Sequence, residues 1–362
     1  MDGMGLNSTF WKDKRVFLTG HTGFKGAWMT IMLHRLGAKV FGYSLDPPTD
    51  PSLFNVANLA DLMTADHRND ITDLATMTKA LQDSQADIVF HLAAQPLVSE
   101  GYADPVGTYA SNVMGTVNIM EAIRHTPSVV AAVLITTDKC YENVEWIHPY
   151  REPDRLGGVD PYSNSKACSE LVIAAYQKSF FAPHEDAALI ASTRAGNVVG
   201  GGDWAKNRLI TDCIGSFSKG DPVVLRSPHS IRPWQHVLEP LTGYMLLAEG
   251  LLSENGKALV GGWNFGPDNA GEATVSEITS LVAENWGADA KVELLNAEKP
   301  FYESKILRLD STKAKTMLGW HPQWNSRKMI EETVAWYKRA NAQEDMLKFT
   351  SFQIDQYLDG LK

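Results

Sequence analysis

The chain has 362 residues, 44% of them hydrophobic, and a net charge of −10 from 33 Lys+Arg against 43 Asp+Glu. That length suits about two domains with a sizeable core, and the composition excludes a collagen-like, coiled-coil or wholly disordered chain. An acidic surface repels a phosphate backbone, which argues against general nucleic-acid binding.

The three cysteines, Cys140, Cys168 and Cys213, form no CxxC pair. A disulfide scaffold or zinc ribbon is therefore not expected, and a reducing, cytoplasmic setting is. Residues 1–15 hold Asp2, Lys12, Asp13, Lys14 and Arg15 without an apolar core, so no signal peptide is expected. The longest apolar run, near Val129–Ile135, falls well short of the roughly 18 residues of a membrane span.

In chain order, Val16–Thr19 is a predicted strand that runs into a glycine turn. Phe24, Ala27, Trp28, Ile31, Met32 and Leu36 then recur at helical spacing until Gly37. A strand at Lys39–Tyr43, a helix near Asp73–Gln82 and a strand at Ile88–His91 follow. Next come a long helix over Pro105–Arg124 and a strand over Val130–Thr136. Asp160-Pro161 opens a further helix, with Asp as N-cap and Pro at the first helical position. Ala188–Thr193 is another strand.

Alternating strands and helices predict right-handed βαβ units in a doubly wound parallel sheet of Rossmann type, an α/β fold. Past about Gly200 the pattern becomes less regular, and a smaller C-terminal α/β substrate lobe is expected. Its helices fall near Leu238–Leu252, Val275–Trp286 and Arg327–Arg339. The expected division is residues 12–195 for the dinucleotide domain, with later segments returning to it. Residues 196–340 would form mainly the substrate lobe, and 341–362 a peripheral C-terminal helix.

The turn Gly20-His21-Thr22-Gly23-Phe24-Lys25-Gly26 sits between the first strand and the first helix. Glycines there allow a tight turn, a close approach of backbone to a pyrophosphate, and tight helix–strand packing; the helix N-terminus adds free N–H groups. The spacing is GxxGxxG rather than GxGxxG. The ribose ligand, expected roughly 20 residues on, falls at Ser44 or Asp46. Asp46 is equally suited to be the turn residue of Asp-Pro-Pro, and the choice stays open. A carboxylate there, with no arginine immediately following, favours NAD over NADP.

Tyr162 and Lys166, spaced i, i+4, share one helix face. A nearby ammonium is expected to draw a phenol toward neutral pH, so that it can take a hydroxyl proton.

With these residues in view, the chain resembles the extended short-chain dehydrogenases/reductases that modify nucleotide sugars, from Lys14 to about Pro322. The segments that carry the resemblance are TGHTGFKG (19–26), TTDKCYEN (136–143), DPYSNSK (160–166), RAGNVVGGGDW (194–204) and RPWQHVLEPLTGY (232–244). It implies an NAD enzyme with Thr137, Tyr162 and Lys166 in one proton network. Leu92, Ala93 and Ala94 would line the dinucleotide after a strand, Asp70 and Ile71 would flank the adenine, and Asn112 would lie beside the cofactor. Gln95, Asn197, Arg208, Arg232, Tyr302 and Glu303 are the implied substrate contacts.

The implied activity is 4,6-dehydration of a nucleotide sugar, CDP-glucose, within deoxysugar formation for surface polysaccharide such as O-antigen. A 4-epimerase on the same fold, or a non-catalytic NAD-binding sensor, are the alternatives. The helices Pro105–Arg124 and Pro161–Phe180 resemble the pair that forms a four-helix bundle across a homodimer.

Many dehydratases of this family carry Thr-Asp-Glu where this chain has Thr137-Asp138-Lys139. Lys139 as a desolvated base with Asp138 as acid is one assignment. Lys139⁺ stabilising an enolate while Asp138 moves the protons is the other. A plain surface ion pair after a strand would need neither. Arg194, Arg208, Arg226 and Arg308 suit either a diphosphate clamp or ordinary ion pairs. Trp204, Trp234 and Trp263 suit the core, His21 the turn itself, and the histidines have no metal-ligand spacing.

Overall fold

The computed structural model describes residues 5–225, 227–268, 272–288, 290–294 and 306–361. A seven-stranded parallel sheet is built from β1 (Arg15–Thr19), β2 (Lys39–Ser44), β3 (Ala65–Arg68), β4 (Ile88–His91), β5 (Ala131–Ile135), β6 (Leu189–Ala195) and β10 (Gly261–Phe265). Their order is β10-β6-β5-β4-β1-β2-β3. The order reverses between β1 and β4, and such a switch point leaves a crevice at the carboxyl ends of the strands.

Both faces of the sheet are covered. Period-2 alternation sends Val16 and Leu18 into one core with Trp28 and Ile31, and Phe17 into the other with Met77, Leu81 and Ile119. The expected Rossmann-type sheet is therefore present.

The smaller lobe holds two small sheets. One has the order β11-β9-β7, from β7 (Asn197–Val199), β9 (Ile231–His236) and β11 (Glu272–Thr274). The other pairs β8 (Val223–Leu225) with β12 (Val292–Leu294).

Four features differ from the sequence reading. β3 lies between the second predicted strand and the Asp73 helix, where no strand is expected. It is an edge strand of sequence ADHR, only half buried, so it shows no apolar run. The residues after β4 include a short helix, Val98–Ala103, that is also unpredicted. The predicted Pro105–Arg124 helix is continuous in space but opens into a π turn at Ala110–Met114, between α-helical Pro105–Tyr109 and Gly115–Arg124. Such turns concentrate at functional positions.

The C-terminal helix, Met346–Asp359, is present but not peripheral. Met346, Thr350, Gln353, Ile354 and Tyr357 are buried, and the helix packs against the Ser326–Asn341 and Phe24–Arg35 helices. Its anchor is Glu239, fully buried in the first turn of the Leu238–Leu251 helix. Glu239 accepts hydrogen bonds from the Tyr357 hydroxyl and from the backbone N–H groups of Gln323 and Trp324. The polar composition of the segment hides this: Thr350, Gln353 and Tyr357 are buried with partners on Trp336, Glu332 and Glu239.

Burial pushes the Glu239 carboxyl up to about 7 despite these donors. The folded state therefore holds this proton more tightly than the unfolded chain. The associated stability is fully present below about pH 4.5 and is lost as pH rises through 7. The limiting effect is about 3 kcal/mol. Glu239→Gln is expected to flatten the fall in melting temperature between pH 5 and 8 by a few degrees relative to wild type, as read by calorimetry. Parallel curves for the two proteins would contradict it.

Candidate active site

The carboxyl ends of β1, β4 and β5 bring three segments together: the glycine turn, residues 92–95, and Thr136–Cys140. Gly20 adopts φ +75°, and a Cβ there would stand 2.7 Å from the Ala93 nitrogen. At Gly26 a Cβ would meet the Gly20 oxygen at 2.1 Å, so strand and helix close to a distance that only glycine permits. Gly23 caps the Phe24–Arg35 helix without a side-chain hydrogen bond, which leaves the N–H groups of its first turn for a ligand. The cradle fits a dinucleotide pyrophosphate.

Thr22 hydrogen-bonds Ser44 at 2.8 Å and donates to the Leu45 carbonyl. Ser44 is buried, whereas the Asp46 side chain is 89% exposed and lies 3.6 Å from Arg68. His21 is more than a turn residue. It is fully buried and hydrogen-bonds Asp66 on β3 at 2.7 Å, and Asp66 also pairs with Arg68.

The Asp70 carboxylate is turned to Thr72, whose backbone N–H and hydroxyl both donate to it. Ile71 is buried against Gly115. Leu92 and Ala93 donate their N–H groups to Thr19, and Ala94 follows them half-buried.

Two predicted contacts serve as braces. Asn112, in the π turn, accepts from the Gln95 N–H and donates to the Gln95 carbonyl and to Ser165 Oγ. It thereby ties the loop after β4 to the helix that carries Tyr162. Gln95 donates to Thr108 on the Pro105–Tyr109 helix and accepts from the Leu97 N–H, so its side chain braces the loop after β4.

Asp160 caps the Pro161–Tyr176 helix by accepting from the Ser163 N–H, as the Asp-Pro signal predicts. That helix brings Tyr162 and Lys166 under the end of β5. Tyr162 hydrogen-bonds Thr137, whose hydroxyl donates to Asp138 Oδ1 at 3.0 Å. Lys139 Nζ stands 6.0 Å from the centre of the Tyr162 ring. All five proposed catalytic residues are thus gathered around one point, and Thr137, Asp138, Tyr162 and Lys166 are buried.

The electrostatics correct one expectation. Lys166 does not bring the phenol toward neutral pH in this geometry. Burial pushes Tyr162 up to about 12, and Asp138 adds to the rise. Lys166 donates to the Ile135 carbonyl at 3.3 Å, and burial lowers its own ammonium to about 8. Desolvation dominates both groups, and Lys166 is not among the residues that move the phenol.

Asp138 is also raised by burial, against Lys139, Thr137, Arg232 and Lys25. Its Oδ2 is buried and has no hydrogen-bond partner among the described residues. A carboxyl raised in this way is better suited to donate a proton than an exposed one.

Around Asp138 the fold gathers more cations than the motifs reveal. Lys25, from the glycine turn, lies close enough to Arg208, Lys166, Asp138 and Asp203 to feel each of them. Burial first, and those cations second, lower it to about 8. Arg208 pairs with Asp203 at 2.5 Å, and its charge also lowers Tyr162. Arg232, on β9, is buried and favours the Asp138 carboxylate. Asn197 opens β7 beside it, paired with Trp234. Arg194 is instead a buried ion-pair partner of Glu170 at 2.8 Å.

Tyr302, Glu303 and Arg226 lie outside the described residues. Trp234 and Trp263 are core residues, and Trp204 packs on Trp336 and Tyr337. Cys140 is buried, with its thiol pushed well above the ordinary range, and is therefore unreactive. Among the described residues no cluster of His, Cys, Asp and Glu could hold a metal, and no helix is long and apolar enough to cross a membrane.

A sheet of this order, with a glycine cradle at the switch point and a Thr–Tyr–Lys set at the end of β5, defines a nucleotide-sugar enzyme of short-chain dehydrogenase/reductase type. The chain belongs to the GDP-mannose 4,6 dehydratase family, whose model matches residues 17–333. It is 47% identical over 358 residues, 98% of this chain and 99% of the relative, to the CDP-glucose 4,6-dehydratase of Salmonella typhimurium. A dTDP-glucose 4,6-dehydratase of Xanthomonas campestris is 26% identical, over 88% of this chain and 92% of that protein.

Among solved structures, dTDP-glucose 4,6-dehydratase of Bacillus anthracis in complex with NAD superposes with a TM-score of 0.74. It is 20% identical, over 92% of this chain and 99% of that one. UDP-glucose 4-epimerase of Thermotoga maritima with UDP-glucose gives a TM-score of 0.77 at 21% identity, over 90% and 99%. These two support the fold alone.

Proposed function

We propose that the chain is an NAD-dependent hydro-lyase that converts CDP-glucose to CDP-4-keto-6-deoxyglucose. The observation that carries this reading is the Asp138-Lys139 pair beside Tyr162, in a chain 47% identical along its length to a CDP-glucose 4,6-dehydratase. A 4-epimerase has no use for an acid and a base at that place.

The dinucleotide would rest on Gly20–Gly26, with Ser44 the ribose-side residue favoured by its burial and its tie to Thr22. The chemistry that bound NAD supplies is acceptance of the C4 hydride and, once water has left, its return to C6, so that no net oxidation occurs. Tyr162, in its network with Thr137, takes the proton of the sugar 4-OH as C4 becomes a ketone. The ketone acidifies the C5 proton. Asp138, whose carboxyl burial raises, gives a proton to the departing 6-OH, which leaves as water.

Lys139 is the base toward C5. A base there must act as a neutral amine, taking the C5 proton and later returning one to the same carbon. Arg208, Arg232 and Asn197 are the groups for the diphosphate.

Turnover of CDP-, dTDP-, GDP- and UDP-glucose by the purified protein with NAD tests the substrate. CDP-glucose is expected to exceed the others in kcat/KM by at least about tenfold, the discrimination that one well-placed polar contact gives. Equal turnover of all four would overturn the assignment.

The Pro105–Tyr109 and Pro161–Tyr176 helices support a homodimer, because they present an apolar face. Val106 is 79% and Leu171 59% exposed, with Tyr109, Met114 and Phe180 also exposed. Leu171→Arg is expected to convert a dimer to monomers in sedimentation analysis. An unchanged dimer mass would contradict this interface.

A further inference from the structure

Beneath the proposed proton network lies a second set of buried polar groups that the reaction does not touch. Glu170 follows Lys166 by one helical turn on the same face, and both are buried, as is Arg194 on β6. One Glu170 oxygen accepts from the Thr136 hydroxyl. The other accepts from Ser192 Oγ at 2.8 Å and from Arg194 Nη2 at 2.8 Å.

Arg194 is fixed in turn. It donates to the Tyr141 hydroxyl at 2.7 Å and to the Glu152 carbonyl at 3.1 Å, and its guanidinium lies over the Tyr141 ring. Tyr141 passes the bond on to Asn264 on β10. Gly262 is glycine here for a reason: a Cβ would stand 2.8 Å from Arg194 Nη2.

From these contacts we infer that Glu170, held by Arg194, is a positioning residue for catalysis. It fastens the chain just beyond β5 at Thr136, next to Thr137, and stands one helical turn beyond Lys166 on the same face.

Two observations separate this from an ordinary buried ion pair. First, the carboxylate reaches the active strand through Thr136, so its orientation fixes the backbone that carries Thr137 and Asp138. Second, Lys166 stands between opposing charges, with Lys25 a like charge on one side and Glu170 an opposite one on the other. Glu170 is the foremost group favouring its ammonium, which burial otherwise lowers to about 8. The groups facing Lys166 are Lys25 from the glycine turn, His91 from β4 and Cys140 after β5; those facing Glu170 are Thr136 just after β5, Ser192 and Arg194 from β6, Cys140, and Tyr141 through Arg194. Arg194 and Lys25 are the cations of this set, while burial keeps the His91 ring, the Cys140 thiol and the Tyr141 phenol neutral. Without Glu170, Lys166 would lose its proton at a lower pH.

The kinetic side of this inference rests on the proposed dehydration; the titration of Lys166 does not. Lysine labelled with ¹³C at Cε, with the Lys166 signal assigned by its loss in Lys166→Arg, gives the midpoint directly in the full chain. Glu170→Gln is expected to lower that midpoint by about one pH unit, the size of shift that a nearby opposite charge produces. It is also expected to lower kcat about tenfold at pH 8, with recovery at lower pH and with KM for the nucleotide sugar within twofold.

Because Glu170→Gln leaves Arg194 buried without its partner, the variant is prone to unfold. Glu170→Gln/Arg194→Met removes both charges at similar volume and is expected to fold and to shift the midpoint the same way. An unchanged midpoint in whichever of the two folds would overturn the inference, even if activity fell, since a purely structural role would give that result. A shifted midpoint with no turnover of any nucleotide sugar would uphold the positioning role and count against the proposed reaction instead.

Discussion

Tyr162→Phe is expected to lower kcat on CDP-glucose by about three orders of magnitude while leaving KM within a few-fold, the range typical of losing a positioned general base. The variant keeps the ring against which Lys139 is placed and removes only the hydroxyl that meets Thr137. Folding should be unaffected, because one hydrogen bond is lost and no cavity is made.

The pH profile makes the prediction sharper. Burial holds the phenol at about 12 with the chain's own residues alone. Wild-type kcat should therefore rise with pH as the phenolate fraction grows, and level off above about pH 8, where Lys166 loses its proton. The variant should lack the rising limb. Steady-state rates between pH 5.5 and 9.5 check this; a variant with more than a tenth of wild-type turnover would remove Tyr162 from the chemistry.

Asp138→Asn carries the second large effect. It preserves shape and the contact with Thr137 but cannot donate an acidic proton. Loss of water should fall by about 10²- to 10⁴-fold. Exchange of the C5 proton with solvent should continue, because Lys139 is the base in this account. Wild-type water loss should also decline as pH rises through the raised carboxyl of Asp138, since the protonated form is the working one. Lys139→Met should abolish both exchange and water loss. If Asp138→Asn stopped the C5 exchange as well, Asp138 would move both protons, and Lys139 would be left to stabilise the enolate as a cation.

Much of this was legible in the sequence because it depends on local rules. The glycine turn, the strand before it and the helix after it follow from spacing, and the structure places Gly20 and Gly26 where no Cβ fits. Asp160-Pro161 announced a helix start, and that start puts Tyr162 and Lys166 under β5.

What escaped are features set by long-range packing. β3 is a polar edge strand that exists only because β2 pairs with it. The C-terminal helix looks polar and detachable, yet Glu239, more than eighty residues from its partners, holds both it and the 323–324 backbone. The direction of the phenol and ammonium titrations escaped because i, i+4 spacing records proximity but not desolvation. Gln95 and Asn112 were expected to face ligands; the hydrogen bonds that turn them into braces come from segments that sequence alone does not align. Glu170, by contrast, carried a usable signal: it stands four residues beyond Lys166 on the same helix face.

The most direct test of the central claim is the reaction of CDP-glucose with the protein and NAD in deuterated water, followed by mass spectrometry and NMR of the sugar. The account predicts a product lighter by one water, with a methyl at C6, a keto group at C4, solvent deuterium at C5 and no accumulation of reduced cofactor. A product of unchanged heavy-atom composition, inverted at C4 and free of deuterium at C5, would contradict it, because Asp138 and Lys139 would then have no proton to move.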